Sequence, residues 1–384
     1  MRIVIAGLWA ATEPSGICRT VVSLIRGLNE ITPRLDLTLV IGKWQQEYFE
    51  TSFEIGRANV QIVRPGIGNR SADRNWWYLF GLPRLAYQIR ADVVHLSFPA
   101  PVLRTLFNCP IVTTLHDLYP YDCPKNFGYP RVLLNRVALR RSLLASDLIA
   151  CVSEFTLSRL STVFPKLATK SSCIGNPIVA TSSRTEDSPL IEGPYVLAVA
   201  QHRANKNLEL LLRSFHQFRL LADADGQTKL VIVGMRGPET PGLYHLVDRL
   251  GLGESVLFLA NIKDSELAAL YRNCDLFVTL STIEGFGLPV GEALAHGARV
   301  IASDIPAHRS IGGDHCEYVS LSDDNLVRRI AESLRCGGRR PKIVRETHVH
   351  LTTRQSAEQY LALYKAARHG ITTQPQHSTS TSSA

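Results

Sequence analysis

The sequence predicts an α/β protein built from two Rossmann-like domains, each with a parallel sheet. The chain has 384 residues, more than one ordinary hydrophobic core accommodates. Short apolar runs rich in β-branched residues alternate with helical patterns, an order typical of parallel sheets. A polar stretch rich in Ser, Thr and charged residues, 181–193, separates two such series. We therefore predict a first domain over residues 1–178, a linker over 179–194 and a second domain over 195–350.

The elements follow in order along the chain. The first domain has strand patterns at residues 2–7, 35–41, 60–63, 91–96, 110–115 and 148–152. Helical patterns occur at about 18–28 and 129–146, and a further helix begins after Ser153, a favourable N-cap residue. The second domain has strand patterns at residues 195–200, 229–234, 256–259, 275–280 and 300–302. A last helix is predicted within residues 351–369, and the Thr- and Ser-rich residues 370–384 predict a disordered tail.

Composition narrows the class of protein. Hydrophobic residues make up 45% and charged residues 20% of the chain, as in a folded globular protein. No run of 18 apolar residues predicts a membrane-spanning helix, and the N-terminal string MRIVIAGLWA lacks signal-peptide features, so we expect a cytoplasmic protein. The eight cysteines include no C-x-x-C pair, which favours reduced core thiols over zinc sites or disulfides.

Positive charge is concentrated in the first half of the chain. The formal net charge is +8; residues 1–178 contain 20 basic and 12 acidic side chains, whereas the remainder contains 22 of each. A basic half would suit nucleic acid, but we find no nucleic-acid-binding motif. An anionic membrane surface or a diphosphate-bearing acceptor fits the excess better, with a merely basic solvated surface as the open alternative.

Two stretches of the first domain mix arginines with apolar side chains. Residues 64–90 contain five arginines around the string Trp-Trp-Tyr-Leu-Phe at 76–80. Aromatic residues among cations suit a membrane interface or an apolar acceptor tail; they also suit a helix packed on the sheet, which we favour. Residues 129–146 carry four arginines among the apolar residues of a helical pattern.

The most informative stretch is 281–295, STIEGFGLPVGEALA, which follows an apolar strand pattern. Gly285 and Gly287 permit backbone geometry, and close approach to a ligand, that a Cβ would forbid. Pro289 suits the first turn of a helix that runs to about His296, with Gly297 as its C′ residue. The pattern predicts a strand, a glycine-bearing loop and a helix whose free N–H groups suit an anion or sugar hydroxyls.

Two acids bracket this loop, Glu284 and Glu292, with seven residues between them. An isolated pair at this spacing would be interpreted as a solvated loop acid and a first-turn acid favoured by the helix dipole. The whole string, however, resembles the EGFGLP…E signature of the family-4 retaining glycosyltransferases, which have the GT-B fold. The resemblance extends from Arg2 to about Arg368 and is strongest from Val196 onward.

Three further strings support the resemblance. Ser15-Gly16-Ile17 after the first strand resembles the family's glycine loop, although Ser15 or Cys18 replaces a second glycine. His116-Asp117 at the end of the strand at 110–115 resembles its HD motif, and ligands gather at such strand ends. QHRANKN places Arg203 and Lys206 before a helix that begins near Leu208, as in the R-x-x-K-N element. These two cations have no local acid to pair with, so we expect them to need an anion.

The resemblance implies a role for each of these positions. It implies two domains facing across a cleft, with the last helix returning to the first domain. Arg203 and Lys206 would neutralise the donor diphosphate, which is also the leaving group. Glu292 would bind the ribose, and Glu284 the donor sugar. The remaining donor contacts are Gly16 at the diphosphate, Gly285, Phe286, Gly287 and Leu288 at the sugar, and His116 near the reacting carbon.

The resemblance also implies transfer with retention of anomeric configuration, for which we favour front-face attack because no carboxylate nucleophile is identifiable. GDP-mannose is the leading donor, with UDP-glucose, UDP-GlcNAc and dTDP-rhamnose open. The acceptor would be a saccharide or a lipid-linked saccharide at the inner membrane face. No cofactor or metal is expected, since the side chains of Arg and Lys can neutralise the diphosphate in place of a metal ion. The string Asp223-Ala224-Asp225, a possible metal motif, is interpreted as a solvated loop.

Three other functions compete with transfer. A sugar-nucleotide 2-epimerase shares the fold, but the continuous EGFGLP string disfavours it. A non-catalytic partner protein is disfavoured because His116, Lys206, Glu284 and Glu292 are all present. A dinucleotide oxidoreductase is disfavoured because no G-x-G-x-x-G follows the first strand.

Overall fold

The computed structural model of the protein describes residues 1–12, 16–51, 53–124, 128–178, 190–221, 227–323, 325–335 and 351–370. Strands and helices alternate along these segments. The strands are β1 Arg2–Ala6, β2 Asp36–Val40, β3 Gln61–Val63, β4 Val93–Leu96, β5 Ile111–Leu115, β6 Leu148–Cys151, β7 Ser171–Cys173, β8 Tyr195–Val199, β9 Lys229–Val233, β10 Val256–Leu259, β11 Leu276–Thr279, β12 Val300–Ser303 and β13 Glu317–Val319.

Helices connect most of these strands. They are α1 Gly16–Ile31, α2 Gln46–Thr51, α3 Ser71–Trp76, α4 Leu82–Gln88, α5 Tyr119–Asp122, α6 Arg131–Ala145, α7 Glu154–Val163, α8 Leu208–Leu221, α9 Thr240–Arg249, α10 Asp264–Asn273, α11 Leu288–Ala295, α12 Pro306–Gly312, α13 Leu326–Arg335 and α14 Thr353–His369. The predicted linker at 179–194, the Asp223–Asp225 segment and the predicted tail lie wholly or largely outside the described residues. None of the described helices is long and apolar enough to cross a bilayer.

The chain forms two compact units. The first comprises Met1–Tyr121, Tyr129–Asn176 and the segment from Thr353, and the second comprises Asp122–Gly128 and Pro177–Thr352. Each unit contains one wholly parallel sheet, in the orders β3-β2-β1-β4-β5-β6-β7 and β10-β9-β8-β11-β12-β13. The predicted α/β class with two parallel sheets is therefore confirmed. The edge strands β7 and β13 were not predicted, because Ser-Ser-Cys contains no β-branched aliphatic residue and Glu-Tyr-Val contains only one.

In the first unit, α14 packs against α1 and the sheet. Ala357, Tyr360, Leu363 and Tyr364 of α14 are buried in the same cluster as Ile25 and Leu28 of α1. Gly27 makes the close helix contact possible, because a Cβ there would lie 2.5 Å from the carbonyl oxygen of Thr353. The helix thus completes a core that the sheet and α1 leave open on one face.

A buried polar network also joins α14 to the sheet. The Tyr364 hydroxyl lies 2.7 Å from His95 Nδ1, and Thr114 Oγ1 lies 2.8 Å from both His95 Nε2 and the Tyr360 hydroxyl. Burial lowers the pKa of His95 to about 3, with a further lowering from the nearby His116 imidazole. His95 is therefore neutral, and each of its ring nitrogens has a hydrogen-bonding partner.

The aromatic stretch at 76–80 divides between the core and the surface. Trp77 and Tyr78 are buried, and the Tyr78 hydroxyl donates to the Leu8 carbonyl at 3.0 Å, so the favoured interpretation as a packed helix is confirmed for these two residues. Trp76 and Phe80 are 59% and 48% exposed and contact each other. The segment Trp77–Gly81 is π-helical.

The second unit has an apolar cluster on each side of its sheet. One cluster includes Leu212 and Phe215 of α8, and the other includes Val290 and Leu294 of α11. Four cysteines lie buried in the cores of the two units, as expected for core thiols: Cys18, Cys109, Cys151 and Cys274. The sheet of this unit positions the loops that carry most of the candidate site residues.

Candidate active site

The loop between β11 and α11 has the geometry that its glycines predict. Gly287 immediately precedes α11 and has φ +91°, a left-handed conformation in which a Cβ is strained. Pro289 lies in the first turn of the helix, and Gly297, with φ +76°, follows its last turn. The free N–H groups of the first helical turn therefore adjoin the loop that carries Glu284.

Glu284 is buried and held by two donors. Its Oε1 lies 2.5 Å from Lys206 Nζ and accepts a hydrogen bond of 2.7 Å from Ser281 Oγ. Burial alone would raise the pKa of Glu284, but the Lys206 ammonium, with smaller contributions from His308 and Ser281, holds the pKa below its usual range. The carboxylate is therefore ionised at neutral pH and oriented before any ligand arrives.

Lys206 has an acid partner, Glu284, that is distant in sequence, so the absence of a local acid did not leave the lysine unpaired. Lys206 ends a turn, Ala204–Lys206, that follows β8, whereas Glu284 follows β11, and these two strands are neighbours in the sheet. The Thr282 N–H donates to the Asn205 carbonyl at 2.8 Å and joins the two loops. The pair was invisible in the sequence because the partners are 78 residues apart.

A set of buried side chains packs against the loop between β11 and α11. Ser303 Oγ donates to the Ser281 carbonyl at 2.5 Å and lies 3.1 Å from His308 Nδ1. Burial lowers the pKa of His308, although the neighbouring Glu284 carboxylate raises it in part. None of Ser281, Ser303 and His308 was predicted as a site residue. Their positions at the ends of β11 and β12 could have suggested Ser281 and Ser303, whereas His308 lies within α12.

Arg203 lies beside Lys206 at the same strand end. Within the described part of the chain its Nε is buried without a hydrogen-bonding partner. Gly234 and Gly237 face the carbonyl groups of Ala200 and His202 so closely that a Cβ at either glycine would overlap them. A buried guanidinium nitrogen is costly to leave unpaired, and the need of Arg203 for an anion stays a prediction.

Glu292 lies on α11 and is oriented by a different group. The Tyr271 hydroxyl donates to Glu292 Oε2 at 3.0 Å. Tyr271 is itself buried and stacks on His296, whose Nδ1 lies 2.7 Å from the Glu292 carbonyl oxygen. The two acids of the E-x7-E spacing are therefore both held in place, one by an ammonium and one by a phenol.

His116 and Gly16 belong to the first unit. His116 follows β5, and its Nε2 lies 2.9 Å from the Ser97 carbonyl oxygen. Because a carbonyl only accepts, Nε2 carries the proton and Nδ1 is left as an acceptor. Burial lowers the pKa of His116 to about 4, against a smaller raising effect of that hydrogen bond. Gly16 is the first, exposed residue of α1, and Ser15 lies outside the described residues.

The described residues include no group of three or more His, Cys, Asp or Glu side chains that could hold a metal ion. The cationic groups at the candidate site are the side chains of Arg203 and Lys206, at the end of β8.

Two family models match the chain in succession. The model described as "Glycosyltransferase Family 4" matches residues 14–181, and the model described as "Glycosyl transferases group 1" matches residues 184–350. The chain belongs to the family-4 glycosyltransferases of the GT-B fold. The predicted family and fold are thereby confirmed.

Curated relatives include O-antigen chain mannosyltransferases of bacteria. O-antigen chain mannosyltransferase B of Escherichia coli is 29% identical over 235 residues, which cover 58% of this chain and 61% of the relative. O-antigen chain mannosyltransferase RfbU of Salmonella typhimurium is 28% identical over 215 residues, 55% of this chain and 57% of the relative. The matches thus span less than two thirds of the length of these relatives.

Solved structures share the fold. Anabaena Alr3699/HepE in complex with UDP and glucose superimposes with a TM-score of 0.68 at 16% identity, covering 95% of this chain and all of the other. WaaG, a glycosyltransferase involved in lipopolysaccharide biosynthesis, has a TM-score of 0.62 at 14% identity, covering 97% and 95%. At these identities the likeness establishes the fold alone.

Proposed function

We propose that the chain is a retaining hexosyltransferase that moves mannose from GDP-mannose to a saccharide or lipid-linked saccharide. The proposal of sugar transfer rests on one observation: Glu284 is buried and ionised beside Lys206, near the N-terminal end of α11. The mannose assignment is supported by relatives that are mannosyltransferases of bacterial O-antigen chains.

In this proposal the cations act on the leaving group. Negative charge accumulates on the diphosphate as the bond from the sugar breaks, and positive groups placed there beforehand lower the barrier. Lys206 and Arg203 would supply this charge, and the unpaired Arg203 Nε would gain its partner. Metal is not needed for that neutralisation, so we propose a metal-independent reaction.

The acids and the histidine would hold hydroxyl groups. Glu284, kept ionised by Lys206, is a strong acceptor for hydroxyls of the donor sugar, and the amides of residues 286–288 would donate to the same sugar. Glu292 would accept from the ribose. His116, neutral at pH 7 because burial lowers its pKa to about 4, would present Nδ1 as an acceptor to a sugar hydroxyl.

For retention we propose front-face attack, in which a leaving phosphate oxygen takes the acceptor proton. Oε1 of Glu284 already accepts from Lys206 and Ser281, which weakens this carboxylate as a nucleophile. We propose that transfer occurs at the cytoplasmic face of the cell membrane, where the basic first half of the chain would meet a lipid-linked acceptor.

A UDP-linked donor is the second candidate. It is favoured by fold neighbours solved with UDP species bound, HepE with UDP-glucose and the pneumococcal O-GlcNAc transferase GtfA with UDP and GlcNAc. The two candidates differ in the base and the sugar and leave the roles of the site residues unchanged.

A thermal-shift panel with GDP, UDP, dTDP, ADP and their sugar conjugates separates these donors. A ligand that binds the folded form stabilises it by RT ln(1+[L]/Kd), about 2.7 kcal/mol at a hundredfold excess over Kd. We expect the melting temperature to rise only with GDP and GDP-sugars. A shift confined to uracil or thymine species would contradict the mannose assignment, and no shift with any of them would contradict transferase activity.

Transfer itself is tested with the preferred donor and a panel of saccharides, with the product anomer determined by NMR. We expect an α-linked product from GDP-α-mannose, and a β-linked product would contradict retention. Lys206→Ala should abolish transfer, whereas Lys263→Ala, at an exposed lysine before α10, should leave it unchanged. Epimer formation without acceptor would instead support the epimerase alternative.

A further inference from the structure

Helix α6 has apolar residues on both of its faces. One face is buried in the first unit through Val132, Leu139 and Leu143. The opposite face carries four large apolar side chains that are about half exposed to solvent. Their exposed fractions are 44% for Leu133, 67% for Leu134, 51% for Val137 and 55% for Leu144. The surfaces of soluble proteins rarely group so many large apolar side chains on one helix. Such an apolar patch indicates an interaction site.

Arginines flank these apolar side chains. Arg131, Arg140 and Arg141 are exposed, and the helix contains no acid. In the described part of the chain, none of these three guanidinium groups forms a hydrogen bond or an ion pair. The fourth arginine is used internally: Arg136 Nε donates to the Pro120 carbonyl at 2.8 Å, and its guanidinium lies 5.2 Å from the centre of the Tyr121 ring.

We propose that this α6 face, formed by Leu133, Leu134, Val137, Leu144, Arg131, Arg140 and Arg141, docks on an anionic lipid surface. Leucine and valine side chains would enter the boundary between headgroups and acyl chains, and the arginines would bind lipid phosphates. Charge selects this occupant, because a second copy would bring the same unpaired arginines together and repel. A partner protein would need acidic side chains for the arginines and an apolar groove for the leucines and the valine. An anionic bilayer offers both over its whole surface, because its phosphates lie above an apolar interior.

The docking face is tied to a candidate site residue within the same unit. Arg136 joins α6 to Pro120 and Tyr121, which closely follow His116. A docked α6 would hold the His116 end of the sheet at a fixed distance from the lipid surface. This inference rests on the proposed function, because only a lipid-linked acceptor gives the docking a purpose in the reaction.

The test is co-sedimentation of the full chain with phosphatidylcholine vesicles that contain or lack phosphatidylglycerol. We expect binding only to the anionic vesicles, weakening as ionic strength rises. Each arginine near such a surface contributes about 1 kcal/mol, or about fivefold in affinity, so Arg131→Gln, Arg140→Gln and Arg141→Gln together should weaken binding about a hundredfold. Leu134→Gln with Val137→Gln should weaken it further in the same background.

The matched control removes three exposed cations of the first unit outside α6 and outside residues 64–90, Arg34→Gln, Lys166→Gln and Lys365→Gln, with the same change in net charge. We expect this control to retain most of the binding. Equal losses in the two triple variants would overturn the α6 assignment, as would binding to neutral vesicles alone or dimerisation through α6 in light scattering. Nucleotide thermal shifts on the same variants show that they are folded; a chain that binds nucleotide but no vesicles overturns this inference and leaves the proposed transfer standing.

Discussion

Lys206 Nζ lies 2.5 Å from Glu284 Oε1, and both side chains are largely buried, with exposed fractions of 17% and 10%. Each charge is the counterion of the other, so neither can be removed without leaving an uncompensated charge in a poorly solvated place. In the proposed reaction both charges would contact the donor, Lys206 at the diphosphate and Glu284 at the sugar. The pair therefore links the stability of this loop to its chemistry.

Removing one member of the pair should destabilise the second unit more than removing both. Lys206→Met leaves the Glu284 carboxylate buried and unpaired, and we expect a loss of about 3 kcal/mol in the free energy of unfolding, measured by urea denaturation. The double variant Lys206→Met with Glu284→Gln should recover most of that loss. Lys206→Met, the single variant Glu284→Gln and the double variant should all lack transferase activity. Additive losses in the double variant would show that the two charges do not depend on each other.

Ser281 should act as a positioning residue for Glu284. Ser281→Ala removes a hydrogen bond to a carboxylate, which is worth about 1.5 kcal/mol or more, so we expect the donor KM to rise at least about tenfold. Since this bond helps to lower the pKa of Glu284, the acidic limb of kcat/KM should also move to higher pH.

The control for Ser281 is Ser322→Ala, at an exposed serine of the same unit. It should leave both the KM and the pH profile unchanged. A Ser281→Ala protein with an unshifted acidic limb would contradict the positioning role, even if its stability fell.

Acid should destabilise the first unit through His95. The folded-state pKa of His95 is lowered to about 3, below the unfolded value of about 6.5, so unfolding takes up a proton at intermediate pH. The contribution of His95 to the free energy of unfolding is fully present above pH ~6.5. It falls by about 1.4 kcal/mol for each pH unit below that, down to about pH 3. His95→Gln should be less stable at pH 7 but show a shallower decline between pH 6.5 and 5. An unchanged slope, measured by urea denaturation across this range, would contradict the assignment.

Gly27 should not tolerate a side chain. In an open helix Gly→Ala gains about 1 kcal/mol, but at Gly27 the new Cβ would lie 2.7 Å from Ala357 Cβ and would push α14 away from α1. Overpacking of this kind costs about 1–3 kcal/mol, so we expect a net loss of unfolding free energy. Gly242→Ala in α9, where no atom lies within 4 Å of the new Cβ, should instead be neutral or stabilising. A stabilised Gly27→Ala protein would contradict the close packing of α14.

The local architecture could be predicted from the sequence. The alternation of apolar runs with helical patterns determined the α/β class, and Gly287, Pro289 and Gly297 determined where the loop ends and where α11 starts and stops. The EGFGLP string and the cations after β8 indicated the family and the candidate site. These features depend on residues within about ten positions of each other, which a periodic pattern or a backbone preference records directly.

Only the tertiary structure decided which side chains meet. It paired Lys206 with Glu284 across 78 residues, placed Ser303 and His308 behind that loop, and joined Tyr364 to His95 across 269 residues. It also left one apolar face of α6 exposed, although both faces carry large apolar side chains. The physical reason is that such contacts depend on strand order and on which helix face meets the sheet, and no local pattern of residue types records either.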